Sequence, residues 1–257
     1  GANLLGVGTN LKFYIESGGS YYDITPIRAS STINNNPFVA TLSSSVITVT
    51  DTAHGCLTGD FVTFSGAVGL GGNITAGVLN AEYQVTVVDV NSYTITVSAV
   101  ANATDVSGSP GGGASVVAAY QINTGFEYAV PLVGWGAGGW GAGPWGTGTS
   151  SLETIRLWSQ FNFGEDLIFG PRGGAIYYWD SSAGTGTRAV NLTTLGGASD
   201  VPTVQNTILV SDVSRFVLCF GCNDLGSATQ NPMLIRWSDQ EDAANWTPAA
   251  TNQAGSL

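Results

Sequence analysis

The stretch DLIFGPRGGAIYYWDSSAGTGTRAVNLTT, residues 166–194, has the pattern that decides the fold. An apolar strand is followed by a glycine-containing turn and by a second strand dense in aromatic residues, and the stretch ends around threonine. Aromatic and β-branched residues bounded by glycine or polar turns are typical of β-strands. The same pattern occurs at 4–26 and 215–248, with DITP, NLTT and NWTP in matching places. The three segments therefore form an irregular repeat.

The spacing of this repeat indicates its architecture. Thr193 and Thr247 lie 54 residues apart, which is about the size of a four-stranded propeller blade. The 36 glycines among many Thr, Ser, Val and Asn residues favour short strands and tight turns over helices. We therefore predict an all-β protein with β-propeller-like blades.

A different pattern interrupts the blades at 41–121. Polar and apolar residues alternate in VITVT and in YQVTVVDVNSYTITV, where Val-Asn-Ser forms the turn of a hairpin. We predict an inserted small β-sandwich or barrel here. The domain assignment is then a first blade segment at 1–40, the insert at 41–121, a Gly/Trp-rich loop at 122–150 and further blade segments at 151–257.

The charge balance limits the partners. Seven basic and eighteen acidic residues give a net charge of −11. Specific nucleic-acid binding depends on basic clusters that neutralise phosphates, and this chain has none. An acidic surface still suits a conduit through which DNA slides without sticking. No apolar run approaches the length of a membrane span.

Candidate catalytic groups are few. The single histidine, His54, lies in a turn far from any Gly-x-Ser-x-Gly elbow, which argues against a hydrolytic triad. The glycine runs lack the Lys-Ser/Thr of a P-loop. Cys219 and Cys222 form a single CxxC; residues three apart in a strand point to opposite faces, so we interpret them, with Cys56, as core thiols. We expect no catalytic residue, cofactor or metal site.

Carboxylates leave one alternative open. Asp239, Glu241 and Asp242 cluster in WSDQEDAANWT, which faintly resembles the Asp-box turn of sialidase-type propellers without its glycine. Two separated carboxylates suffice for glycoside hydrolysis. Aspartates between strands are ordinarily turn residues, however, because Asp hydrogen-bonds its own backbone. The spacing matches no defined calcium loop.

Three tryptophans stand five residues apart in GWGAGGWGAGPWGTGT, residues 134–149. Trp135, Trp140 and Trp145 have three interpretations: they pack on a blade, dock on a neighbouring subunit, or stack on sugar rings. We take them as candidate interface residues.

The segments 134–149 and 157–180, and RFVLCFGCND with its continuation to residue 257, resemble virion structural proteins of tailed bacteriophages, above all those of the tail-nozzle type. The insert is similar to a small β module that recurs in phage tail proteins. The resemblance implies a subunit of a ring, commonly six-fold, around the DNA-ejection channel, with other tail or connector proteins as partners and no enzymatic step.

The expected location is the virion tail, after synthesis in the cytoplasm of the bacterial host. Such proteins are longer than 257 residues, so we expect this chain to be part of a longer polypeptide. The alternative function is a glycan-binding or glycan-hydrolysing propeller at a host cell surface. A third is a bacterial surface or filament protein built from the same modules.

Overall fold

The computed structural model of the chain describes residues 3–127 and 155–257. The described residues form five antiparallel sheets, and their only α-helices are two short ones, α1 (Ala76–Leu79) and α2 (Ala103–Ser107). The prediction of an all-β fold is confirmed. The chain divides into two compact units: a continuous unit, residues 27–124, and a discontinuous unit, residues 1–26 with 125–257.

The continuous unit contains two four-stranded sheets. One has the order β5-β6-β10-β9 and the other β4-β11-β7-β8. The strands are β4 (Ile27–Thr32), β5 (Phe38–Ala40), β6 (Val46–Thr50), β7 (Phe61–Ser65), β8 (Glu82–Gln84), β9 (Thr86–Asp89), β10 (Ser92–Thr96) and β11 (Val117–Gln121). Alternation buries one side of the central strands, as with Ile47 and Val49 in β6 and Val62 and Phe64 in β7. Both sheets contribute to one hydrophobic core.

The continuous unit begins before the predicted insert. The predicted first blade segment extends to residue 40, whereas β4 and β5 pair with strands of the continuous unit: β4 with β11, and β5 with β6. These pairings join residues that are distant in sequence. No local pattern in 27–40 reveals such partners, and this accounts for the difference between the two boundaries.

The discontinuous unit contains three antiparallel meanders, each with its strands in chain order. The first sheet has β1 (Leu5–Gly8), β2 (Phe13–Ser17) and β3 (Ser20–Asp23). The second has β12 (Trp158–Phe163), β13 (Asp166–Pro171), β14 (Tyr177–Trp179) and β15 (Val190–Asn191). The third has β16 (Thr207–Val210), β17 (Val217–Phe220), β18 (Ile235–Trp237) and β19 (Gly255–Ser256). Each sheet overlaps one segment of the repeat. Closure of these sheets into a propeller stays a prediction.

Neighbouring meanders in this unit contact each other through their first strands. The Gln160 amide donates from Nε2 to the Gly6 carbonyl at 3.1 Å, and the Ser159 hydroxyl accepts from the Ile208 amide at 3.2 Å. Phe13 of the first sheet stacks on Phe169 of the second, with ring centroids 4.1 Å apart. The three sheets are thus joined side by side in chain order.

One buried carboxylate organises the loops of the continuous unit. Asp105 in α2 is fully buried and accepts four backbone hydrogen bonds of 2.8–3.0 Å, from Gly72, Asn73, Ile74 and Asn102. Burial raises the pKa of this carboxyl, but the four amide donors outweigh it and hold the pKa below the ordinary 3.8. The ionised carboxylate is therefore the form that the fold requires.

We predict that Asp105→Asn lowers the free energy of unfolding by about 2–3 kcal/mol, because the amide nitrogen of Asn would face two backbone N–H donors that then lack an acceptor. Urea denaturation at pH 7 measures this change. The matched control is Asp89→Asn at an exposed turn, where the carboxylate accepts from the Asn91 amide.

The same carboxylate predicts a pH dependence. Because the folded-state pKa is lowered, the stabilisation is present above the ordinary pKa of 3.8 and is lost as the pH falls through the lower folded value. Denaturation midpoints measured between about pH 5 and pH 2 should fall less steeply in Asp105→Asn than in the native sequence. Parallel curves for the two proteins would contradict this assignment.

Candidate functional site

The predicted interface residues Trp135, Trp140 and Trp145 lie outside the described residues. Their role stays a prediction. Within 3–127 and 155–257, no group of three or more His, Cys, Asp or Glu side chains is arranged to hold a metal ion.

His54 is held by the backbone of its own unit. Its Nδ1 accepts from the Cys56 amide at 3.0 Å, so Nε2 carries the proton and donates to the Asp89 carbonyl at 2.9 Å. Burial raises the pKa of the Cys56 thiol to about 11 despite the nearby Arg28. A thiol with this pKa is protonated at neutral pH and a poor nucleophile. His54 and Cys56 thus serve the turn between β6 and β7.

Beside His54 lies a buried chain of hydroxyl groups. The Tyr93 and Tyr120 hydroxyl oxygens are 2.9 Å apart, and Tyr120 donates to the Asp51 carboxylate. Desolvation raises the pKa of both phenols. These groups stay protonated and bridge the two sheets of the continuous unit.

The CxxC cysteines meet in the core, contrary to the strand argument. Cys219 lies in β17, but Gly221 adopts φ +61°, which ends the extended backbone before Cys222. Both thiols are buried and free, and Cys222 donates to the Cys219 carbonyl at 3.6 Å. The error came from assuming a continuous strand; the glycine inside the motif was the signal.

The acidic loop 237–247 is a set of turns. Asp239 accepts at Oδ1 from the amides of Gln240 and Gln253, each at 2.8 Å, and Asp242 accepts from the Ala244 amide at 2.9 Å. These are the local hydrogen bonds by which Asp stabilises a turn. They account for two of the three carboxylates that sequence reasoning offered for glycoside chemistry.

An exposed arrangement of aromatic and charged groups lies on the hairpin β2–β3. The register pairs Tyr14 with Asp23 and Glu16 with Tyr21, so these four side chains point to one side of the sheet. We call this side the tyrosine face. Tyr21 is 65% exposed, and its ring meets that of Tyr14 edge-on, with centroids 6.5 Å apart.

The opposite side of the hairpin is different. Phe13 and Ile15 are buried there, and Tyr22, which pairs with Ile15, is 38% exposed. The buried residues fix the hairpin against the core. The tyrosine face therefore lies on an anchored element and not on a loop.

Asp23 forms a charged cluster at the edge of the tyrosine face. Its Oδ2 receives the Lys12 ammonium at 2.9 Å and the Arg188 guanidinium at 3.1 Å, while Oδ1 accepts from the Thr25 amide at 2.9 Å. Arg188 also donates to the Thr25 carbonyl at 2.8 Å. Arg188 comes from the segment before β15, so the cluster joins the first sheet to the second.

Electrostatics keep Asp23 ionised. Burial raises the pKa of this carboxyl, whereas hydrogen bonds from Thr25 and Lys12 and the charge of Arg188 lower it, with a net shift below the ordinary value. The carboxylate thus neutralises part of the positive charge of its two partners. Chemically, the tyrosine face offers aromatic rings for stacking and charged groups for hydrogen bonds.

Sequence reasoning missed this site. It treated 4–26 only as a segment of the strand repeat, because tyrosines are common in β-strands. The available signal was the pair of adjacent tyrosines one residue after a Gly-Gly turn, which alternation places on opposite sides of an edge strand.

The fold and this site define an all-β protein with an exposed aromatic surface. No family model matches the chain, and no curated protein matches it. Among solved structures, the chain is similar to the phage phi92 endosialidase, with 13% sequence identity and a TM-score of 0.30. The alignment covers 96% of this chain and 37% of the endosialidase, so the chain spans little more than a third of that protein.

The comparison corrects one expectation. The sequence-based statement that this protein is not an enzyme is wrong as an exclusion, because the protein to which the chain is similar is, by its name, an enzyme. That protein is, by its name, a phage protein. In the described part of the chain, no helix has the length and apolar character to cross a membrane.

The hydroxyl chain in the continuous unit yields a matched pair of variants. Tyr120→Phe leaves the buried Asp51 carboxylate without its hydroxyl donor, whereas Tyr93→Phe removes only the bond to Tyr120. We predict a loss of about 2–3 kcal/mol of unfolding free energy for the first and about 1 kcal/mol for the second. Chemical denaturation measures both, and equal losses would contradict the proposed direction of the Tyr120–Asp51 bond.

Proposed function

We propose that this chain is part of a bacteriophage virion protein that recognises a glycan at the host surface through the tyrosine face. The observation that carries the proposal is the exposed Tyr21 ring, set against Tyr14 on an anchored hairpin. Phage origin is supported by the sequence resemblance, and a tail location goes with it.

Sugar rings need the kind of surface that the tyrosine face offers. Their C–H faces pack on aromatic rings, and Tyr adds a hydroxyl group at its outer end. Glu16 and the Asp23 cluster supply polar atoms beside the rings, as specific ligand sites require. Glu16 accepts from the Gly19 amide at 2.6 Å, which holds the turn of the hairpin. Little of the surface therefore has to be ordered on binding.

A second candidate function is a ring subunit of the tail nozzle. The net charge of −11 favours it, because an acidic channel wall lets DNA pass without trapping it. In this function Trp135, Trp140 and Trp145 anchor one subunit on the next. The subunits of the ring then meet through head-to-tail contacts.

Glycan recognition predicts that Tyr21→Ala weakens binding about tenfold, since the loss of about 1.4 kcal/mol of ring contact changes Kd by that factor. Binding of the intact protein to immobilised host-cell polysaccharide measures the effect. The matched control is Tyr22→Ala, which removes a ring from the opposite side of the same strand. Equal losses in the two variants, with unchanged thermal unfolding, would contradict a role of the tyrosine face.

The nozzle function predicts that replacing all three tryptophans by alanine lowers the mass of the assembled ring. Multi-angle light scattering measures this mass. Replacing both alanines of the segment 134–149, Ala137 and Ala142, by serine is a control for general changes in the loop. An unchanged mass would remove the tryptophans from the interface.

A further inference from the structure

The charged groups around the tyrosine face determine which classes of glycan it can bind. Recognition of an anionic sugar depends on cationic groups that can be directed at its carboxylate or phosphate. The cationic groups at this face are Lys12 and Arg188, and both bond the same oxygen of Asp23. Their charge is directed inward to that carboxylate.

The geometry engages both cations with groups of the protein itself. The Lys12 side chain is only 9% exposed, and Arg188 divides its donors between Asp23 and the Thr25 carbonyl. If either cation turned toward an anionic ligand, the partly buried Asp23 carboxylate would lose an ion-pair partner. This loss is unfavourable.

The remaining charges oppose an anion as well. Glu16 projects from the same side of the sheet as Tyr21. Two cations and two carboxylates leave this face without net charge. At longer range, the chain carries −11 and repels a polyanion before contact.

We propose that the tyrosine face binds an uncharged glycan and rejects carboxylate- or phosphate-bearing ones. This inference rests on the proposed glycan recognition and specifies its ligand class. Stacking on Tyr21 and Tyr14 supplies the contact area. Asp23 determines the selectivity because it binds the two cations that an anionic sugar would need.

An array of bacterial surface oligosaccharides, with uncharged and anionic members of similar length, tests the inference with the intact protein. The expected result is binding confined to uncharged members and reduced about tenfold by Tyr21→Ala. Binding of the native protein to anionic members at equal or higher level would overturn the ligand class while leaving glycan recognition in place. Absence of binding to every member would overturn glycan recognition itself, and the inference with it.

Asp23→Asn tests the selectivity mechanism. Its side chain keeps the shape of Asp23 but releases the charge of Lys12 and Arg188, so the ratio of anionic to uncharged binding should rise at least fivefold. Asp212→Asn, at an exposed turn in the same unit, removes one negative charge elsewhere and should leave this ratio unchanged. Thermal unfolding and circular dichroism establish that each variant is folded.

If Asp23→Asn does not fold, Glu16→Gln provides the second measurement. It removes the other carboxylate of the tyrosine face and should raise the same ratio, though less. An unchanged ratio in the folded variants would overturn the role of these carboxylates in selectivity.

Discussion

The stacking of Phe13 on Phe169 is the contact on which the discontinuous unit depends. The two rings come from segments separated by more than 150 residues, and their centroids are 4.1 Å apart. Trp158 packs edge-on to Phe13 at 5.0 Å, and its indole donates to the Thr9 carbonyl at 2.7 Å. The first sheet has only three strands, which is marginal for independent stability. Its hairpin keeps a defined position because Phe13 is held by the second sheet.

The Asp23 cluster extends this contact to the surface. Ring packing tolerates several geometries, so directional bonds are needed to fix the relative position of the two sheets. Arg188, in the segment before β15, is bonded to Asp23 and to the Thr25 carbonyl and adds directional bonds at one edge. The Ala189 amide donates to the Ile24 carbonyl at 3.0 Å and continues the same seam. The position of the tyrosine face thus follows from packing and from charge together.

Local patterns predicted the strands but not their partners. Aromatic and β-branched runs between glycine turns correctly indicated an all-β chain, and the repeat segments overlap the three meanders. The pairing of β4 with β11 was not predicted because it joins residues far apart in sequence. The tyrosine face was not predicted for a related reason: Lys12, Asp23 and Arg188 come together only after two sheets have packed. Alternation can place Tyr21 and Tyr22 on opposite sides, yet it cannot say which side is covered.

Charged residues act in two ways in this protein: at long range through the net charge of the chain, and at short range through ion pairs at the tyrosine face. Over the whole chain, the excess of carboxylates acts at a distance and disfavours any polyanion, whether DNA or an acidic polysaccharide. At the tyrosine face, the same residue type acts within 3.1 Å by binding two cations. The long-range term is screened by salt over about 8–10 Å, whereas the short, partly buried pairs are screened much less. Selectivity that persists at high ionic strength therefore has its origin at Asp23, and selectivity that disappears has its origin in the net charge.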